Sequence, residues 1–321
     1  MHDVNDVLQA DGAKPELVAL VEIILGAAKH IAHCVRQGAL AGVLGSTEDE
    51  NIQGETQKKL DVIANQILKD ALLENRQVCA IASEEEDTSV AGNPAGTYLV
   101  AFDPLDGSSN IDINGQVGTI FTIYPARADV ACDSELQFHQ PGIQQLCAGY
   151  VLYGGSTLLV ISVGGATRCF TLDANGNFVL TEAELQIPAD TREFAINLSN
   201  QRFWRSAFKR YVDDLIAGDT GPRAKNYNMR WNAAMVGDVH RVLMRGGIFS
   251  YPSDSRNPSQ PAKLRLLYEA NPMALLIEGA GGKAFTETQR ILTLQPQTLH
   301  QRVAVILGSA NEVEACLAYL K

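Results

Sequence analysis

Apolar positions in the first part of the chain recur at helical spacing. Leu17, Leu20, Val21, Ile24, Ala28, Ile31 and Val35 share one face, which predicts a helix over 15–40. The pattern stops in a Gly- and acid-rich stretch, 41–54, read as a loop. It resumes over 55–73 with Leu60, Ile63, Ile67 and Leu68 inward. Short apolar runs then replace it. Residues 78–82 and 98–102 read as buried strands, each running straight into acidic residues. Further strands are predicted at 119–124, 149–153, 157–163 and 167–172, and Asp173-Ala-Asn-Gly176 turns the chain before 178–180. Helical spacing returns at 203–217, 233–245 and 271–279. A strand at 303–307 and a helix capped near Ser309 close the sequence. The segment 186–191 separates two expected domains, 1–188 and 189–321. The order of elements predicts an α/β (α+β) fold of alternating helical and sheet layers.

Composition narrows the function. A 46% apolar, 20% charged chain of 321 residues has the balance of a globular protein with a real core. No run approaches the roughly 20 apolar residues of a membrane span. Met1-His2-Asp3-Val4 lacks the basic and apolar regions of a secretory leader, so a cytoplasmic protein is expected. The net charge of −11 speaks against nucleic acid and anionic membrane as partners. A phosphorylated ligand then needs local cations: Lys, Arg, a helix N-terminus or metal ions. The cysteines, Cys34, Cys79, Cys132, Cys147, Cys169 and Cys316, show no CxxC spacing and are expected as six reduced thiols. His240 falls inside a predicted helix and reads as a packing residue. Gly281-Gly282 reads as a helix stop.

The densest chemistry is Phe102-Asp103-Pro104-Leu105-Asp106-Gly107-Ser108-Ser109-Asn110. A strand ends in a carboxylate, proline forces a turn, and a second carboxylate follows three residues on. Asp103, Asp106 and the Leu105 carbonyl can then face one point, an oxygen set suited to a hard divalent cation. The amides and hydroxyls of Gly107, Ser108 and Ser109 would cradle a phosphate where a helix opens. Metal and phosphate side by side suit metal-assisted phosphate-ester hydrolysis. A second acidic run, Ser83-Glu84-Glu85-Glu86-Asp87, follows a buried strand and supplies the further carboxylates that a multi-metal site needs. A third run, 263–273, offers Glu269 as a ligand, with Lys263 and Arg265 alternating on one strand face toward a phosphate.

These elements resemble class I fructose-1,6-bisphosphatase, within the lithium-sensitive sugar-phosphatase superfamily. The resemblance covers almost the whole chain. It includes Asn51–Glu55 with Lys58-Lys59-Leu60-Asp61, the 81–86 and 103–112 runs, Ala148-Gly-Tyr-Val-Leu-Tyr153-Gly, Gly237-Asp238-Val-His240-Arg241, and Leu266-Leu-Tyr-Glu-Ala-Asn271-Pro272. It implies a layered α/β/α/β/α sandwich, usually a homotetramer. It implies Mg²⁺, two or more ions per subunit with Mn²⁺ as a substitute, held by Glu84, Asp103, the Leu105 carbonyl, Asp106 and Glu269. Glu85 and Asp61 would act on the attacking water, and Glu55 would lie at the end of a closing loop. Asp106 to Ser109 would hold the 1-phosphate of fructose 1,6-bisphosphate. Asn197, Tyr251 and Lys263 would contact the sugar and 6-phosphate, and Arg230 would reach a neighbouring subunit's pocket. Sedoheptulose-1,7-bisphosphatase or a dual-specificity enzyme is the alternative within the class. A non-catalytic sugar-phosphate sensor would not need Asp61 and Glu85.

Departures from the family pattern carry expectations of their own. Trp231 and Asn200 stand where the family has tyrosines in the sugar-phosphate pocket. At the family's AMP-binding region, Lys14-Pro15-Glu16-Leu17-Val18 replaces Thr-Gly-Glu-Leu-Thr, Thr97 replaces a lysine, and Pro125 an arginine. Pro15 has no amide to donate and Val18 no hydroxyl, so weak inhibition by AMP, or none, is expected.

Overall fold

A computed structural model describes residues 3–42, 44–50 and 56–321. A short helix, α1 (Val4–Ala10), is capped by the Asp3 carboxylate, which accepts the Asp6 amide. The predicted first long helix is α2 (Pro15–Gln37); its proline sits in the first turn, where the missing amide costs nothing. The stretch read as a loop contains a strand, β1 (Ser46–Glu50), paired antiparallel with β2 (Thr56–Lys58). The following helix, α3 (Lys59–Leu73), therefore begins later than its apolar spacing suggested.

The first sheet contains β3 (Val78–Ser83), β4 (Val90–Ala91), β5 (Tyr98–Asp106), β6 (Val117–Pro125), β7 (Cys147–Tyr153), β8 (Thr157–Ser162), β9 (Arg168–Leu172) and β10 (Phe178–Glu182). Their order is β10-β9-β8-β7-β6-β5-β3-β4, antiparallel except for the β3/β5 pair. Beyond it come β11 (Glu193–Ala195), α4 (Ser206–Ile216), β12 (Asn228–Met229), α5 (Met235–Arg245), β13 (Ile248–Tyr251), β14 (Leu264–Arg265), α6 (Asn271–Gly279), β15 (Lys283–Phe285), β16 (Arg302–Val303), β17 (Val305–Gly308) and α7 (Ala310–Leu320). The second sheet runs β12-β11-β13-β17-β15, and β14 pairs with β16.

Side-chain alternation along the strands sorts the core into layers. Val151 and Tyr153 of β7 pack with the α1–α3 layer, whereas Tyr150 and Leu152 face α5 and α6. In the second sheet Phe249, Val305 and Leu307 face those same helices, and Ile248 and Ile306 face α4 and α7. The result is the α/β/α/β/α sandwich expected from the sequence. Strands buried on both faces explain why they read as continuous apolar runs. Length and apolarity alone would let the helix over Pro15–Ala41 cross a membrane, but half of that window is buried inside the fold, as in a core helix.

One expectation is corrected. Cys79 on β3 and Cys132 form a disulfide with Cα atoms 5.5 Å apart, leaving Cys34, Cys147, Cys169 and Cys316 free. The partners lie 53 positions apart in sequence. No short-spacing signal reports such a pair; the fold brings them together. His240 is a packing residue, as read: its Nδ1 lies 2.9 Å from the Tyr150 hydroxyl, and burial lowers its pKa to about 4.

Candidate active site

Two neighbouring strands, β3 and β5, deliver the acidic runs to the same edge of the first sheet. After β3 the chain turns sharply. The Glu84 amide donates to the Phe102 carbonyl at 3.1 Å, and the Ser83 hydroxyl receives the Glu85 amide at 3.2 Å. Helix α3 braces this turn: Asn65 accepts the Ser83 hydroxyl at 2.7 Å and donates to Glu86 at 2.8 Å, and Lys69 pairs with Glu86.

At the end of β5, the Asp103 carboxylate accepts the Leu105 amide at 2.9 Å, folding the Asp-Pro-Leu turn on itself. Thr119 on β6 holds the Pro104 carbonyl from behind. Asp106 then accepts the Val236 amide at 2.6 Å, so the first turn of α5 fixes a carboxylate from the other half of the chain. Gly107 has φ +78, and a Cβ there would meet the Ala234 Cβ at 2.3 Å. Only glycine fits this turn. The helix expected to open here is a 3-10 turn over Ser108–Ile113.

Glu269 comes from a π-helical turn, Leu266–Ala270, that runs into α6. The wide turn aims the side chain inward, and its Oε2 accepts the Arg265 amide at 2.7 Å. Carboxylate oxygens of Asp103, Asp106 and Glu269 lie within 4.8 Å of one another, all buried. Burial raises the pKa of Asp106 to about 6 and that of Glu269 to about 8. Asp103 is pushed well above the carboxylate range by burial and by the charges of Glu84, Asp106 and Glu269. Converging buried acids repel one another and demand either protons or a cation. With oxygen donors only, the group fits a hard divalent cation.

Asp61 sits in the first turn of α3 and accepts the Lys58 amide at 2.8 Å. Burial lifts its pKa to about 7, against the opposing pull of that amide and of Ser108. Arg265, read from sequence as a possible phosphate contact, lines the cavity and pairs with Glu84 at 2.6 Å.

One cavity of about 410 Å³ gathers these parts. It is lined by Asp61, Glu84, Glu85, Asp103, Leu105, Asp106, Gly107, Ser108, Ser109, Asn197, Tyr251, Lys263 and Glu269, all singled out in the sequence. Lys58, Trp231 and Phe249 line it as well. Trp231 stacks on Phe249 at 6.1 Å and 6°, and the Asn200 amide is 3.5 Å from the Tyr251 hydroxyl. The stacked wall has no local sequence signal, since Phe249 is an ordinary apolar strand residue. Arg230 is exposed and does not line the cavity; its guanidinium donates to the Met229 carbonyl. Glu55 lies outside the described residues.

The acidic and phosphate-cradling end faces an aromatic end carrying Lys263, the layout of a phosphate-ester hydrolase acting on a sugar. Comparison with known proteins agrees. The family model for the N-terminal domain of fructose-1,6-bisphosphatase matches residues 3–183, and that for its C-terminal domain matches 187–321. The chain is 72% identical to the class 1 fructose-1,6-bisphosphatase of Cellvibrio japonicus, over 100% of this chain and 99% of that one. It is 64% identical to that of Saccharophagus degradans over the full length of both. The crystal structure of Leishmania major fructose-1,6-bisphosphatase in holo form superposes with a TM-score of 0.93 at 38% identity, covering 99% of this chain and 98% of that one. The chain belongs to the class 1 fructose-1,6-bisphosphatase family.

Proposed function

We propose that the protein hydrolyses the 1-phosphate of fructose 1,6-bisphosphate, with Mg²⁺ as cofactor, giving fructose 6-phosphate and inorganic phosphate. The observation that carries this reading is the charge balance of the cavity. Six carboxylates line it against three cationic side chains, Lys58, Lys263 and Arg265. A doubly phosphorylated sugar enters such a site only with divalent cations, which supports two or more Mg²⁺ ions, or Mn²⁺ in their place. Glu84, Asp103, the Leu105 carbonyl, Asp106 and Glu269 would hold them, and their chemistry is to neutralise and polarise the phosphoryl oxygens.

The rest falls to the chain's own groups. Asp61, its pKa raised to about 7 by burial, takes a proton from the attacking water, and Glu85 helps to orient that water. Gly107, Ser108 and Ser109 hold the 1-phosphate through amides and hydroxyls. The turn there is a short 3-10 segment, so the hydrogen bonds matter more than a helix dipole. Lys263, Asn197 and Tyr251 bind the distal phosphate and sugar. Residues 1–188 form the metal-site domain with an effector region, and 189–321 the sugar-phosphate domain. Arg230 serves a neighbouring subunit in a homotetramer, for which its exposed position is suited. The cytoplasm and carbohydrate metabolism are the setting, gluconeogenic or Calvin-type.

The test is phosphate release from fructose 1,6-bisphosphate and sedoheptulose 1,7-bisphosphate side by side. A kcat/KM at least tenfold higher for fructose 1,6-bisphosphate supports the reading, since one misfitted contact is worth about that factor. Equal values would assign a dual-specificity enzyme.

A further inference from the structure

Asp112 lies outside the lining of the cavity, yet it grips the residue that grips Asp61. Its Oδ2 is 2.8 Å from the Lys58 ammonium, and its Oδ1 accepts the Gly45 amide at 3.0 Å. The Gly45 carbonyl in turn accepts the Lys59 amide at 3.1 Å. One carboxylate therefore pins two consecutive residues at the start of α3, one through its side chain and one through Gly45. From there the Lys58 amide reaches Asp61 at 2.8 Å, the bond that opposes the cost of burying the Asp61 carboxylate.

Asp112 also shares the 3-10 turn Ser108–Ile113 with Ser108, which lines the same cavity as Asp61 and lowers its pKa. A single six-residue turn thus bears on Asp61 twice, electrostatically from Ser108 and through the contacts of Asp112 and Lys58. We infer that Asp112 is a positioning residue for the reaction. It sets where the Lys58 backbone sits, and so which way the Asp61 carboxylate points relative to the phosphate held by the same turn. The inference rests on the reading of Asp61 as the group that acts on the attacking water.

The Asp112–Lys58 pair is partly exposed, at 38% and 20%, so it contributes little to global stability. Orientation is a different matter, because small displacements of a reacting group carry large rate penalties. The experiment is a kinetic cycle on the sugar bisphosphate with Asp112→Ala, Asp61→Asn and the double variant, with melting temperatures recorded. Asp112→Ala is expected to lower kcat about tenfold with KM changed by less than about twofold. Asp112→Glu should recover part of the loss. In the Asp61→Asn background, Asp112→Ala should cost less than about twofold, because the group it positions has already lost its function. Hydrogen exchange at the Lys58 amide should quicken in Asp112→Ala.

Losses that simply multiply in the double variant, or a loss confined to KM, would overturn the relay and leave the role of Asp61 standing. Full turnover by Asp61→Asn would overturn both. If Asp112→Ala does not fold, Asp112→Asn takes its place in the cycle with the same expected outcomes. It keeps an oxygen for Gly45 but removes the ion pair.

Discussion

Arg265 places its guanidinium 2.6 Å from the Glu84 carboxylate, and both side chains are almost wholly buried. The pair settles one negative charge of the cavity. The Arg265 charge also pulls on Glu269, and Lys263 on Asp106, but burial and the neighbouring carboxylates outweigh them and hold the pKa values of Asp103, Asp106 and Glu269 up. The metal-free protein should therefore lose stability as pH rises. A raised carboxyl pKa adds stability that is fully present below the unfolded value, 3.8 or 4.5, and is lost as pH passes through the folded value. His240 acts in the opposite sense, but only below its unfolded value of 6.5. Between about pH 7 and 9, where Glu269 loses its proton, the melting temperature in chelator should fall by a few degrees. Saturating Mg²⁺ should remove or reverse that fall, since the cation binds the deprotonated acids. A melting temperature that rises over this range in chelator would contradict the electrostatic account.

The disulfide makes a simple count. Denatured without reductant, the air-oxidised protein should show four reactive thiols, and reduction should raise the number to six. Closing a loop across a separation of 53 residues should stabilise the fold by about 4 kcal/mol in the chain-entropy treatment. Cys79→Ser should reveal that difference in urea unfolding. Six thiols before reduction would show the pair to be open.

Much of the site was legible because its chemistry is packed into consecutive residues. The run from Asp103 to Ser109 carries metal donors, a forced turn and a phosphate cradle within one short segment, so no tertiary knowledge was needed to group them. Long-range pairings left no such trace. Arg265 meets Glu84 only because β14 and the end of β3 converge, and Cys79 meets Cys132 only because the chain after β6 returns to β3. The strands β1 and β2 are polar and short, with no apolar alternation to mark them. Helix α2 was easy for the opposite reason: its apolar stripe runs through six turns against the first sheet.

Several of the positions aligned with the family's AMP-binding region lie together in the structure. Lys14, Glu16, Leu17, Thr97, Tyr98 and Pro125 line one cavity of about 650 Å³. Arg127, the nearest replacement for the missing arginine, donates instead to Asp129 and to the Leu136 carbonyl. With two or three charge-assisted bonds absent, each worth about 1.5–3 kcal/mol, micromolar AMP should leave the rate unchanged. Strong inhibition in that range, abolished by Tyr98→Phe or Glu16→Ala, would mean that other groups rebuild the site.

Arg230 gives a test of shared sites. Subunits carrying Arg230→Ala and subunits carrying Asp103→Ala should each be nearly inactive alone. Hybrids made by co-expression should regain a substantial part of the activity if Arg230 completes its neighbour's pocket. Isolated hybrids with no more activity than their parents would confine each site to one chain.

The most direct test of the central claim follows the phosphorus itself. Fructose 1,6-bisphosphate is incubated with the purified protein and Mg²⁺, and the ³¹P spectrum is read over time. The account predicts that the C1 phosphate resonance decays into inorganic phosphate while the C6 resonance persists. It predicts no change in excess chelator, and none with Asp103→Ala or Glu269→Ala despite folded protein. Loss of the C6 phosphate, or undiminished turnover without a divalent cation, would contradict it.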